Sequence, residues 1–377
     1  MRDAVVVDAV RTPVGKRNGA LSGIHPADLS AHVLTTLVDR TGLRPEEVDD
    51  VVWGCVGQVG DQSGNIGRVA VLAAGWPESV PSTSVDRRCG SSQQAVHFAA
   101  AGVIAGHYDF VIAGGVESMS RVPMGSAAQS GTPYPDSVLG RYDVPGFNQG
   151  IGAEMIADKW SLARQQLDEY SARSHARAAA AVDSGALDGQ LAPIPDGLRA
   201  DEGIRRGSSA ETLAGLKTAF RDDGVITAGN SSQISDGAGA LLITSGETAA
   251  SRGLRPIARV HTVAIAGDDP VIMLTAPIAA TAKVLAKSGL RIEDIGAFEV
   301  NEAFAPVPLA WQAETGAPDE LLNPLGGAIA VGHPLGGSGA VLMTRLVHHM
   351  KDNGIRYGLQ TMCEAGGMAN ATILELL

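Results

Sequence analysis

Residues 41–54, TGLRPEEVDDVVWG, return in altered form at 288–301 as SGLRIEDIGAFEVN, 247 residues later. Such a self-match restricts the fold more than any single residue does, because two copies of one module have to bury matching faces against each other. At the same offset CGSS (89–92) falls on GGSG (336–339), and HYDFVIAGG (107–115) lies one or two residues from IRYGLQTMC (355–363). Short apolar strand candidates such as AVVVDAV, VDDVVWGCV and YDFVIAGG alternate with Ala-rich helical stretches. That alternation predicts an α/β fold with largely parallel strands. Two βαβ-type modules related by a pseudo-twofold bring equivalent loop ends together, so Cys89 is expected to face the region of His333 and Cys363.

The chain has 377 residues, enough for two similar lobes or one large domain. Residues 1–117 with 237–252 read as the first half and 253–377 as the second. Between them, 118–236 reads as an inserted lid: SMSRVPMGSAAQSGTPYPDSVLGRYDVPGFNQG is loop-like, and AEMIADKWSLARQQLDEYSARSHARAAAAVDSG has the pattern of an amphipathic helix or helix pair. A net charge of -12 argues against a general nucleic-acid binder, although a local spot such as GIRRGS suits one small anion. Three cysteines without zinc-like spacing point to reduced thiols in a cytoplasmic setting. The apolar run near the N-terminus is too short for a signal sequence or a membrane span and reads as a first strand.

Four places could carry chemistry. Cys89 follows a strand candidate and precedes Ala95, Val96, Ala99, Ala100, Val103 and Ile104, which recur at helical spacing. At a helix N-terminus the unpaired N–H groups and the dipole favour a thiolate, so its pKa is expected to fall toward neutrality. An isolated Cys is equally a buried apolar filler. His333, between two Gly-rich turns in GGAIAVGHPLGGSGA, is either structural or a base for Cys89. Cys363, at the end of an apolar strand in TMCEAGGMANA, is either a core residue or a general acid or base. Asn301 and Glu302 interrupt the apolar run EVNEAFA, where polar groups satisfy buried backbone or fix a water. Cys55, inside a strand, reads as core.

The ordered set RTPVGKRNGALS, CGSSQQA, GGVESMS, TAGNSSQISDGAGA, NEAFAP, GGAIAVGHPLGGSGA and a final Cys-Gly-Gly segment resembles the thiolases over essentially the whole chain. The resemblance implies a thiolase fold, with the two modules stacked in five α-β-α-β-α layers. It also implies an acyltransferase that cleaves 3-oxoacyl-CoA with CoA, reversibly, to acetyl-CoA or propionyl-CoA and a shortened acyl-CoA. By the same resemblance Cys89 carries the acyl group and His333 activates it. Cys363 exchanges the proton at Cα, and Asn301 acts through a water, with His333, on the enolate oxygen. The backbone N–H groups of Cys89 and Ala365 form a second oxyanion hole. Arg205 and Ser232 match positions that contact coenzyme A, and Met273 matches an acyl-pocket wall.

Coenzyme A and acyl-CoA enter as substrates, with no resident cofactor, no metal, no nucleic acid and no membrane partner. A homodimer or homotetramer is expected, with the Gly/Pro-rich part of the insertion at the tetramer contact. Three departures from the family pattern stand out. Ala365 replaces a glycine and loses its positive-φ freedom. Asn148-Gln149 replaces the His-Met pair of acetoacetyl-CoA thiolases. CGSSQQA and QISDGAG are closer to actinobacterial thiolases of fatty-acid and steroid degradation than to the biosynthetic, acetyl-condensing type. A β-ketoacyl synthase is disfavoured by Cys363, where that group carries His or Asn. The alternatives are a biosynthetic acetoacetyl-CoA thiolase, which condenses two acetyl-CoA, and a non-catalytic acyl-CoA-binding protein of the same fold.

Overall fold

A computed structural model describes residues 2–377. Its strands are β1 (Val5–Arg11), β2 (Gly15–Lys16), β3 (Asp50–Gly54), β4 (Ser82–Val85), β5 (Phe110–Ser118), β6 (Ser235–Thr244), β7 (Ala258–Gly267), β8 (Ala297–Val300), β9 (Tyr357–Glu364) and β10 (Met368–Leu376). They run in the order β4-β3-β5-β6-β1-β7-β10-β9-β8, with β2 beside β6. The order is palindromic about the β1–β7 contact. On one side β3 and β5 are parallel and β6 and β1 follow antiparallel; on the other β8 and β9 are parallel and β10 and β7 follow antiparallel. The two sides meet through only two residue pairs, Val5 with Arg259 and Val6 with Ala258. The sequence repeat is thus a repeat of topology.

The 247-residue offset survives element by element. The 3-10 turns Pro45–Glu47 and Ile292–Asp294 match it, as do β3 and β8, the helices Ser91–Ala105 and Ser338–Asn353, and β5 and β9. Five layers follow from which faces are apolar. Helices Pro26–Thr41 and Ile66–Ala73 cover the outside of the first half, and Ala276–Ser288 covers the outside of the second. Helices Ser91–Ala105 and Ser338–Asn353 pack on each other and on strands of both halves, forming the middle layer. The α/β thiolase-type layering expected from the repeat is therefore present, but the strands are not largely parallel: among the described residues the pairings β3–β4, β3–β5 and β8–β9 are parallel and the other six are antiparallel, because β6, β1, β7 and β10 join the halves edge to edge.

Packing explains the composition. The middle layer is built from small residues, including Ala95, Ala99, Ala100 and Ala340, beside Val96, Met343 and Val347. A Cβ on Gly54 would collide with the backbone N of Ser92 and come within 2.7 Å of the Gly336 carbonyl, so helix start and strand end touch through main chain. Larger side chains fill the outer interfaces, where Trp53 and Trp311 are fully buried. Their indole N–H groups donate to Ser30 (3.1 Å) and Thr281 (2.8 Å), so each ring contributes its apolar burial, about 2 kcal/mol or more, without an orphaned donor.

Residues 119–234 separate two hydrogen-bonded neighbours, β5 and β6. The segment contains helices Asp136–Tyr142, Gln149–Lys159, Arg164–Asp183 and Ala210–Ala214 joined by irregular chain. Among the described residues no helix is long and apolar enough to cross a membrane.

Candidate active site

The Cys89 loop is the turn from β4 into helix Ser91–Ala105. Arg88 takes φ 48°, which reverses the chain just before Cys89. The turn is tied by Ser91, whose hydroxyl donates to the Arg88 carbonyl (2.5 Å) and accepts from the Arg87 N–H (2.9 Å). Gly90 caps the helix, and its carbonyl accepts from the Asn370 amide of the second half at 3.0 Å. Cys89 is only 3% exposed.

That burial corrects one expectation. Cys89 does lie at a helix N-terminus, yet its thiol is pushed well above the usual range, first by burial and then by the charges of Cys363 and Glu364. The helix end does not outweigh these groups, so Cys89 is held as a thiol.

His333 carries a lone pair suited to taking up a proton. Its N–H is held by the Gln233 carbonyl and the Ser235 hydroxyl, both at 3.2 Å. The Ser338 hydroxyl gives its proton to the Pro334 carbonyl (2.9 Å), so its oxygen must accept from His333 Nδ1 at 2.6 Å. The imidazole is therefore the Nδ1–H tautomer. Nε2 is buried with a free lone pair and no partner among the described residues. Burial lowers the pKa of His333 to about 4, which keeps that lone pair available at neutral pH. Ser338 was not singled out in the sequence, although the offset marks it: it stands 247 residues after Ser91, and both serines close the turn into a middle-layer helix.

Cys363 ends β9 in a cluster with Phe304, Ala303 and Met273. Burial raises its pKa to about 11, while the Asn301 amide donates to its sulfur at 3.5 Å and acts in the opposite sense. Asn301 Oδ1 keeps no protein partner, so it can accept from a water. The neighbouring Glu302 is structural, accepting from Tyr170 (2.9 Å), Ser174 (2.7 Å) and the Ile329 N–H (3.0 Å). Cys55 belongs to the core of the first half.

A pocket of about 550 Å³ opens onto Cys89, with Met119, Val122, Tyr134, Gln149 and Ala365 in its wall. Ala365 lines the same pocket as Cys89, and the positive φ values fall instead on Gly366 (92°) and Gly367 (72°). Alanine at 365 is thus not strained. Asn148 caps helix Gln149–Lys159, accepting from Gly150 (2.9 Å) and Ile151 (3.2 Å), which aims Gln149 at the pocket. Met273 does not reach this pocket. It is buried in the Cys363 cluster with φ 66°, and Met119 and Val122 line the pocket.

Glu117, also at the pocket, was missed as well. It accepts from Val56 (3.0 Å), Gly57 (3.0 Å), Gln62 (2.6 Å) and Gly336 (2.8 Å), joining the two halves behind Cys89.

A second cavity of about 540 Å³ contains Arg205 and Ser232 with Lys16, Arg17 and Gln233. The Ser232 N–H donates to the Ala303 carbonyl (2.9 Å) and the Gln233 carbonyl accepts from His333, so this wall runs directly into the site. Arg205 and Ser232 line one cavity, whose lining does not include Cys89.

Residues 4–247 match the family model described as Thiolase, N-terminal domain, and residues 254–376 the one described as Thiolase, C-terminal domain. The chain belongs to the thiolase family. It is similar to the steroid 3-ketoacyl-CoA thiolase FadA6 of Mycobacterium tuberculosis, with 49% identity covering all of this chain and 95% of that one. It is 42% identical to the beta-ketoadipyl-CoA thiolase of Escherichia coli, over the full length of both. Among solved structures, the acetyl-CoA acetyltransferase of Bacillus anthracis superposes with a TM-score of 0.92 at 36% identity, over 100% of this chain and 99% of that one. This thiolase is an acyltransferase of the degradative group, consistent with its CGSSQQA and QISDGAG motifs.

The Gly90 position yields a direct test of the loop geometry. A Cβ there would overlap Glu364 Oε1 and come within 2.8 Å of the Asn370 amide nitrogen. Gly90→Ala is expected to keep the fold but displace Cys89, lowering kcat about a hundredfold, since reacting groups tolerate little misplacement. Steady-state kinetics beside a circular-dichroism melt checks this; unchanged kcat refutes the loop geometry.

Proposed function

We propose that this thiolase cleaves 3-oxoacyl-CoA esters with acyl groups larger than acetyl. The observation that carries this is the volume at Cys89: about 550 Å³ lies in the range of pockets for drug-sized ligands, and an acetyl group would leave most of it empty. The names of the relatives, which include steroid 3-ketoacyl-CoA and beta-ketoadipyl-CoA thiolases, point the same way. The substrate then exceeds the acetoacetyl-CoA of a biosynthetic enzyme.

In the proposed sequence His333 Nε2 removes the Cys89 proton and the sulfur attacks the 3-oxo carbon. The oxyanion rests on the N–H groups of Cys89 and Ala365. The C2–C3 bond breaks, and the departing enolate oxygen accepts from protonated His333 and from a water on Asn301. Cys363 gives its proton to C2 and acetyl-CoA leaves. The Cys363 thiolate next takes the thiol proton of incoming CoA, whose sulfur displaces the acyl group from Cys89. Cys89 recovers its proton from His333. Two thiols serve because one must bond to carbon and the other only moves a proton.

Coenzyme A is assigned to the cavity with Lys16, Arg17, Arg205 and Ser232, in which the insertion 118–236 supplies Arg205 and Ser232. Arg205 is exposed, so its contribution to a phosphate is modest. Arg205→Ala is expected to raise the KM for CoA about fivefold and leave kcat near the wild-type value, as for uniform binding. A fall in kcat with unchanged KM refutes the assignment. Exposed Phe98 and Ile104 on one middle-layer helix support self-association as a dimer or tetramer, and the three unpaired cysteines support a cytoplasmic setting.

The decisive test offers 3-oxoacyl-CoA substrates of rising size and compares kcat/KM. A preference for acetoacetyl-CoA over every bulkier substrate overturns the reading.

A further inference from the structure

Glu364 follows Cys363 in the chain, yet no step above uses it. It is fully buried, and neither carboxyl oxygen has a hydrogen-bond partner among the described residues. Strand alternation turns it away from Cys363 and onto the side of Met362, which packs with Cys89. Its Oε1 presses on Gly90, the residue after the nucleophile and the cap of the nucleophile helix. The Asn370 amide crowds the same side of Gly90, and Asn370 Oδ1 is also without a partner.

An ionised carboxylate here has no donor to satisfy it and lies against the helix end that also receives the Cys89 thiolate. Two anions at one buried helix end oppose each other. We propose that Glu364 is a positioning residue that controls ionisation of the nucleophile: protonated, it lets Cys89 become a thiolate, and ionised, it holds Cys89 as a thiol.

The charged and titratable groups around it come from three elements. Arg87 and Asp86 lie on the nucleophile loop, with Cys89; Cys363 lies on its own strand; Glu117, at the end of β5, acts on the same sulfur. Arg87 favours the carboxylate, whereas burial and Asp86 oppose it, and burial dominates, which raises the Glu364 pKa to about 8. The carboxyl is thus mostly neutral at pH 7 and loses its proton near pH 8.

The inference rests on the reading of Cys89 as nucleophile, but its test does not require turnover. Iodoacetamide, a neutral probe, is applied to the whole protein from about pH 6.5 to 9.5, and labelling of the Cys89 peptide is followed by mass spectrometry. A thiol below its pKa labels about tenfold faster per pH unit. In the wild type this rise is expected to flatten above about pH 8, where Glu364 ionises. Glu364→Gln, which is never charged, should rise without the flattening, labelling Cys89 about tenfold faster than wild type near pH 9 and within twofold of it near pH 6.5.

Arg87→Gln removes the cation that favours the carboxylate, so the flattening should move to higher pH. It gives a second readout if Glu364→Gln folds poorly. Parallel profiles for wild type and Glu364→Gln, or an unmoved inflection in Arg87→Gln, overturn the proposal. Failure of Cys89 to carry an acyl group would instead show as absent acyl mass with these labelling profiles intact.

Discussion

Cys89→Ala is expected to lower kcat for 3-oxoacyl-CoA thiolysis by about 10⁴-fold or more, with no acyl mass on the intact protein after incubation with substrate. The size follows from the chemistry: without the sulfur there is no covalent route, and the remaining oxyanion donors and His333 bind substrate without splitting the reaction into two easier steps. The fold should survive, because one small buried sulfur is lost from a cluster that keeps Leu342 and Met362. Wild-type protein should gain the mass of the acyl group when substrate is supplied without free CoA. An alanine variant that retains a tenth of the activity, or gains the same mass, removes Cys89 from the mechanism.

His333→Ala carries the second largest effect, about 10³-fold in kcat, typical of losing a positioned general base. Cys89 cannot compensate, since its own thiol pKa is raised by burial and by Cys363 and Glu364. Raising the pH should therefore rescue the variant only partly. In the wild type the acid limb of kcat/KM should lie near pH 4 to 5, because His333 stays neutral down to about 4. A wild-type limb near the ordinary imidazole value of about 6.5 would show that His333 is not the buried base described. The same shift bears on stability, with its sign fixed by linkage. The folded pKa is depressed, so between about 6.5 and 4 the unfolded chain takes up a proton that the fold refuses, and stability from this group declines as pH falls through that window.

How much of this is legible in the sequence depends on whether a property is local. The 247-residue offset survives because helix starts and strand ends are held by short-range rules, and the 3-10 turns at Pro45 and Ile292 keep their spacing exactly as the middle-layer helices do. The turn placing Cys89 before a helix is equally local. Its ionisation is not local: burial, and then Cys363 and Glu364 from the other half of the chain, reverse the direction that the helix end alone implies. Met273 fails for a similar reason, since its left-handed backbone and its packing against the Cys363 cluster depend on tertiary contacts. Ala365 alters the family pattern without straining the turn, because the two glycines after it absorb the reversal. The tautomer of His333 needs the position of one hydroxyl proton, which spacing alone does not contain.

The place of β1 in the sheet has a consequence for how the molecule is made. Val5–Arg11 leaves the ribosome well before its strand neighbours among the described residues, β6 and β7, which begin at Ser235 and Ala258. At about 5–20 residues per second the wait is on the order of tens of seconds. During that time both edges of an apolar strand lack their final partners, the condition under which strands pair wrongly with other chains. The first half, with its own turns and helices already encoded, still cannot close until the insertion has been synthesised. While residues 12–234 are being made the nascent chain therefore depends on β1 being shielded from other polypeptides.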